Sequence, residues 1–122
     1  MITSIIGFSF DCKDADRLAD FYAKLLGLEK TLSGGGWAGI HLPQGIILAF
    51  QTVSDYQPPV WPWEDGEQQQ MAHIDFKVDN LDKAVQHAVE CGAMKATVQY
   101  FDVSIVMIDP EGHPFCLSTV QQ

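Results

Sequence analysis

The stretch Phe10-Asp11-Cys12-Lys13-Asp14-Ala15-Asp16-Arg17-Leu18-Ala19 reads like Phe76-Lys77-Val78-Asp79-Asn80-Leu81-Asp82-Lys83-Ala84-Val85 further along the chain. Each carries a strand ending in Phe-x-x, a polar turn, and an acid followed by a base that opens an amphipathic helix. Each helical pattern then stops at a glycine, Gly27 or Gly92. Two long copies, each roughly half the chain, exclude a solenoid of short repeats and favour a pair of like modules. A cleft where such modules meet is the expected place for a site.

Working outward, residues 2–11 are β-branched and aromatic with rough alternation and read as a strand. A helix follows, capped by Asp14 or a neighbour and running to about residue 26, with Leu18, Phe21, Tyr22, Leu25 and Leu26 on one stripe. Three short strands are expected at 28–32, 37–42 and 46–52, separated by Gly34-Gly35-Gly36 and by Pro43-Gln44-Gly45. The triple glycine opens no helix, so it reads as a hairpin turn and not as a phosphate cradle. The second half repeats the plan: a strand at 71–78, a helix from about Asn80 carrying Leu81, Ala84, Val85, Ala88 and Val89, and strands near 94–100, 103–108 and 114–120. Asp109-Pro110-Glu111-Gly112 supplies the last hairpin turn. The fold expected is α+β, a single domain made of two βαβββ modules, 1–52 and 71–122, joined by a linker at 53–70, their sheets curling around a cleft.

The whole chain narrows the function. Its 122 residues, 47% of them apolar, suffice for a core without disulfide staples. The three cysteines, Cys12, Cys91 and Cys116, show no C-x-x-C spacing, and the first residues carry no signal-peptide pattern, so a reduced, cytoplasmic setting is expected. No apolar run approaches the roughly 20 residues of a membrane span. A net charge of −9, with 7 basic against 16 acidic residues, argues against nucleic acid and suits a cationic or neutral small molecule.

Three further stretches carry a resemblance. They are Asp20-Phe21-Tyr22-Ala23-Lys24-Leu25-Leu26-Gly27-Leu28, His73-Ile74-Asp75-Phe76-Lys77-Val78-Asp79 and Asp109-Pro110-Glu111-Gly112-His113-Pro114-Phe115-Cys116-Leu117. In this order and on these elements, the chain resembles the vicinal oxygen chelate superfamily, which includes glyoxalase I, extradiol dioxygenases, and fosfomycin- and bleomycin-resistance proteins. Phe50-Gln51, the Pro58-Pro59-x-Trp61-Pro62 run and the Gln-rich approach to His73 are most similar to its small glyoxalase-like domain proteins. Members that use a metal place four inward ligands, two His and two Glu or Gln, so that a divalent ion keeps positions open for two substrate oxygens. Carried over, the resemblance implies Gly7, Gln51, His73 and Cys116 at those positions. Gly7 has no ligand atom and no glutamate stands at Cys116, so a conventional metal site and lactoylglutathione lyase activity are not expected.

Each candidate has two readings. His73, sharing a strand face with Asp75 and opposite Ile74 and Phe76, is either a ligand contact or a hydrogen-bonded polar residue of the cleft. Gln51 is a residual metal ligand or satisfies a neighbouring strand. Cys116 is a soft ligand or a small apolar filler, and Cys12 and Cys91 read as structural. Asp75 is a base, a cation contact or a rim acid. His41, His87 and His113 read as surface residues. Tyr56, Trp61 and Trp63, on a proline-stiffened segment, form either a wall over the cleft or a strap packed on a sheet or a dimer interface.

The function expected is binding of a small molecule, cationic or aromatic, in the cleft. No cofactor is required, and a homodimer is expected from the resemblance. The alternative is a metal-dependent lyase, isomerase or dioxygenase with His73 and Gln51 as residual ligands and Asp75, His41 or His113 in a shifted set.

Overall fold

A computed structural model describes residues 1–120; the final two residues of the expected second module lie outside the described residues. The chain divides into two compact units, Met1–Tyr56 and the residues from Gln57 onward. The first contains β1 (Gly7–Cys12), α1 (Ala15–Leu26), β2 (Leu32–Gly34), β3 (Trp37–His41) and β4 (Ile47–Thr52). The second contains β5 (Ile74–Lys77), α2 (Leu81–Cys91), β6 (Met94–Lys95), β7 (Ser104–Ile108) and β8 (Pro114–Ser118). Each forms one four-stranded sheet, in the orders β1-β4-β3-β2 and β5-β8-β7-β6. In both, the first strand runs parallel to the last and the other pairs are antiparallel. The repeat seen in the sequence is thus a repeat of topology.

The helices start and stop where short-range chemistry says they should. The Asp14 carboxylate accepts from the Arg17 N–H at 3.2 Å, and the Asn80 side chain accepts from the Lys83 N–H at 3.0 Å. At the other end Gly27 takes the left-handed conformation, φ 67°, and the Leu28 N–H closes back to the Ala23 carbonyl at 2.9 Å. The stripe of α1 is covered by its sheet: Leu18, Phe21 and Tyr22 are buried, and Tyr22 stacks on Phe50 at 5.2 Å between ring centroids. On α2 only Ala88 is fully buried, and Val89 is exposed. The second core is centred on Phe115 and Met107, with Phe76 edge-on to Phe115 at 5.8 Å.

Several strands are shorter than the sequence suggests, β5 (Ile74–Lys77 against 71–78) and β8 (Pro114–Ser118 against 114–120) among them, and for three others the pairing shows why. Residues 2–6 stay outside β1, because its partner β4 begins at Ile47 and the chain before it turns away, Leu42 N–H donating to the Ile46 carbonyl. The strand expected at 28–32 shrinks to β2, whose pairing with β3 begins at Leu32. The strand expected at 94–100 ends at Lys95. There the Gln99 side chain takes over the ladder, its amide donating to the Ala96 and Val106 carbonyls at 2.8 and 2.9 Å and accepting from the Val106 N–H at 2.8 Å. A side chain doing the work of backbone frees residues 96–102 from strand geometry.

Candidate functional site

The β5–β8–β7 ladder assembles the site of the second unit. Asp75 lies opposite Cys116, and Cys116 opposite Val106; one step along, Ser104 faces Ser118 and Ser118 faces Lys77. Side chains alternate across a strand, so this register collects Asp75, Lys77, Ser104, Val106, Cys116 and Ser118 on one face. The other face carries Phe76, Met107, Phe115 and Leu117, and α2 contacts β7 and β8. His73, just before β5, joins the polar face: its Nε2 lies 3.1 Å from Asp75 Oδ1. The Nε2 or Nδ1 of His73, one Asp75 oxygen and Cys116 Sγ all lie within 4.8 Å of one another.

Over this floor stands an aromatic wall. A cavity of about 220 Å³ is bounded by Trp61, Gln70, Tyr100 and Phe101 above His73, Asp75, Ser104 and Cys116. A second hollow, about 680 Å³, shares Asp75, Phe101 and Ser104 and extends to Lys77 and Ser118. Trp61 packs edge-on against Tyr100 at 6.0 Å. Its indole Nε1, and Oε1 of Gln70, are buried without a hydrogen-bond partner among the described residues. Unpaired buried polar atoms cost about 1–3 kcal/mol each, so this wall is held by packing. Of the aromatic trio in the proline-rich segment, Trp61 lines the cavity, Trp63 is exposed, and Tyr56 falls in the first unit.

Burial, and then the neighbouring Asp75 carboxylate, push the Cys116 thiol above its ordinary value of 9.0, while a Ser104 hydrogen bond opposes the shift. At neutral pH it is a neutral donor and not a nucleophile. The linked stability is fully present below the ordinary thiol pKa and is lost as pH rises through the raised one. Alkylation of Cys116 by iodoacetamide, followed by peptide mass spectrometry, is expected to rise at higher pH than that of an ordinary thiol. Asp75→Asn should move that rise to lower pH. Rapid labelling of Cys116 at pH 7 would contradict this assignment.

The four positions implied by the resemblance divide between the two units, Gly7 and Gln51 in the first and His73 and Cys116 in the second. Gly7 offers no ligand atom, and the Cβ of any other residue there would overlap the Ile47 carbonyl oxygen. Gln51 Nε2 donates to Asp11 Oδ1 at 2.6 Å. Within the second unit, His73 and Cys116 are brought together with Asp75. One expectation needs correction: His113 is not a surface residue, its Nδ1 lying 2.9 Å from Oδ2 of the buried Asp109. Tyr100 and Phe101 escaped sequence reading because no motif marks them; they reach the cavity through the irregular segment that Gln99 creates, while Gln70 comes from the Gln-rich approach to His73.

Comparison with known proteins agrees with this architecture. Solved structures of similar fold include a possible glyoxalase from Bacillus cereus, with 17% identity and a TM-score of 0.69 over 96% of this chain and 99% of that one. A glyoxalase/bleomycin resistance protein/dioxygenase family enzyme from Burkholderia phytofirmans gives 16%, 0.70, 94% and 97%. The fosfomycin resistance protein FosX from Listeria monocytogenes gives 15%, 0.71, 99% and 94%. No curated protein matches the chain. No helix among the described residues is long and apolar enough to cross a membrane. The model of the glyoxalase-like domain matches residues 7–118, and the chain belongs to that family, within the vicinal oxygen chelate superfamily.

Proposed function

We propose that this protein binds a small flat molecule, aromatic or cationic, in the cavity of its second unit. The observation that carries this reading is the convergence of His73, Asp75 and Cys116 beneath Trp61, Tyr100 and Phe101. Aromatic walls with a few polar groups at the base are the usual make-up of a small-molecule site. A volume of about 220 Å³ corresponds to roughly seven waters at ~30 Å³ each, room for a ring system or a small substituted chain. The Asp75 carboxylate and the net charge of −9 favour a cation over an anion.

Ligand titration followed by tryptophan fluorescence and thermal shift, over a panel of cationic aromatic compounds and neutral heteroaromatics, tests the reading. A hit is expected to lose about thirtyfold or more in affinity in Trp61→Ala, in line with the 2 kcal/mol or more carried by anchoring aromatics. A hit that Trp61→Ala and Asp75→Asn both leave untouched would place binding elsewhere and sink the proposal.

One observation favours a second reading. Nitrogen, oxygen and sulfur donors from His73, Asp75 and Cys116 are grouped closely enough to hold an ion of the Zn²⁺ type, with a fourth position left for an exchangeable group. Such an ion would supply Lewis acidity, and His73→Ala should abolish its uptake as measured by elemental analysis. Protein that refuses Zn²⁺, Ni²⁺, Mn²⁺ and Fe²⁺ at this cluster leaves the first reading standing alone.

A further inference from the structure

The last turn of α2 holds a pair of side chains that the cavity does not use. His87 and Cys91, four residues apart, project from the same side of the helix. Cys91 Sγ lies 3.7 Å from His87 Nε2 and 4.0 Å from Nδ1. His87 is exposed and Cys91 half-buried. The other two thiols are differently placed: Cys12 is wholly buried and directed at the Gln51 carbonyl, and Cys116 is held protonated beside Asp75.

The separation is informative. A tetrahedral ion with a metal–sulfur bond of about 2.3 Å and a metal–nitrogen bond of about 2.0–2.1 Å sets its two ligand atoms about 3.5–3.6 Å apart. The Sγ to Nε2 distance of 3.7 Å is close to that span, and since Sγ also lies 4.0 Å from Nδ1, a rotation of the His87 ring would aim one nitrogen at a shared ion. The position also suits a cation electrostatically. The carbonyl end of a helix carries partial negative charge, and the last turn of α2 contains no basic residue to offset it.

We propose that His87 and Cys91 form a surface site for a soft or borderline divalent cation of the Zn²⁺ class, separate from the His73 cluster. His87 binds as neutral imidazole and Cys91 as thiolate. The Cys91 S–H bond breaks, a sulfur–metal bond forms with the sulfur's own electron pair, and one proton leaves to solvent for each ion bound. Water completes the coordination, or the same pair from a second copy of the chain.

The test is titration of the full chain with Cd²⁺, reading the ultraviolet cadmium–thiolate band, and with Zn²⁺, reading proton release and bound metal by elemental analysis. Cys91→Ser and His87→Ala are each expected to remove one bound equivalent and its thiolate band or proton. Cys116→Ser and His73→Ala should keep that equivalent, which separates this site from any ion at the other cluster. Circular dichroism and thermal melting of the variants establish that their folds are intact, as expected for substitutions on the outer side of α2. The proposal is overturned if the chain takes up no ion, if Cys91→Ser binds as wild type, or if only Cys116→Ser abolishes the band.

Discussion

Replacing Asp109 with alanine is expected to destabilise the protein by about 2–4 kcal/mol, read as a lowered urea midpoint. The Asp109 side chain is fully buried, yet its two oxygens serve three donors. Oδ1 accepts from the Glu111 and His113 backbone N–H groups at 2.8 and 3.0 Å, and Oδ2 lies 2.9 Å from His113 Nδ1. Together with Gly112 N–H on the Asp109 carbonyl at 3.0 Å, these bonds wind the turn that joins β7 to β8. Alanine would remove the acceptor from all three of these bonds at a buried position. Asp109→Asn, which keeps one acceptor, should lose less. Because β7 and β8 carry Ser104, Val106 and Cys116, ligand binding should weaken with stability. A loss under about 0.5 kcal/mol, the range of ordinary surface substitutions, would mean that the turn does not depend on this carboxylate.

Gly7→His, the change that would restore a family-like ligand, is expected to destabilise the chain by about 1–3 kcal/mol or more and to add no metal binding. The backbone of β1 passes so close to β4 that a Cβ at Gly7 would overlap the Ile47 carbonyl oxygen and lie 3.2 Å from the Ile47 Cβ. The atom it strikes is backbone, and Gly7↔Ile47 is the first pair of a ladder that runs to Cys12↔Thr52, so relief requires opening that end of the ladder. Urea unfolding together with a Zn²⁺ titration decides it. A Gly7→His variant as stable as the parent that gains an ion would show that glycine here reflects chance and not crowding.

Much of the fold could be read from the chain because its determinants act over a few residues. Asp14 and Asn80 cap helices that Gly27 and Gly92 end, the triple glycine turns a hairpin, and Asp109 to Gly112 turns another. The repeat made the rest of the architecture legible, since one βαβββ plan had only to be recognised twice. Strand ends were less legible because they depend on where the partner strand runs out, as residues 2–6 and 96–100 show.

The site divides along the same line. That His73 and Asp75 share a face follows from strand alternation alone, and so belonged to the sequence. That Cys116 joins them, 41 positions later, is a matter of register, the Asp75↔Cys116 pairing in the parallel ladder, which no local pattern specifies. The roof is further from the sequence still. Trp61 was visible as an aromatic on a stiff segment, but Tyr100 and Phe101 reach the cavity only because the Gln99 amide replaces a strand's backbone bonds. The sequence by itself determined the repeat, the caps, the turns and the polar face of one strand, because those are set by neighbours in the chain. The tertiary structure alone decided which distant side chains close the cavity, that position 7 has no room for a Cβ, and that burial and a neighbouring carboxylate raise the Cys116 thiol, because crowding, pairing and burial arise only when the chain folds back on itself.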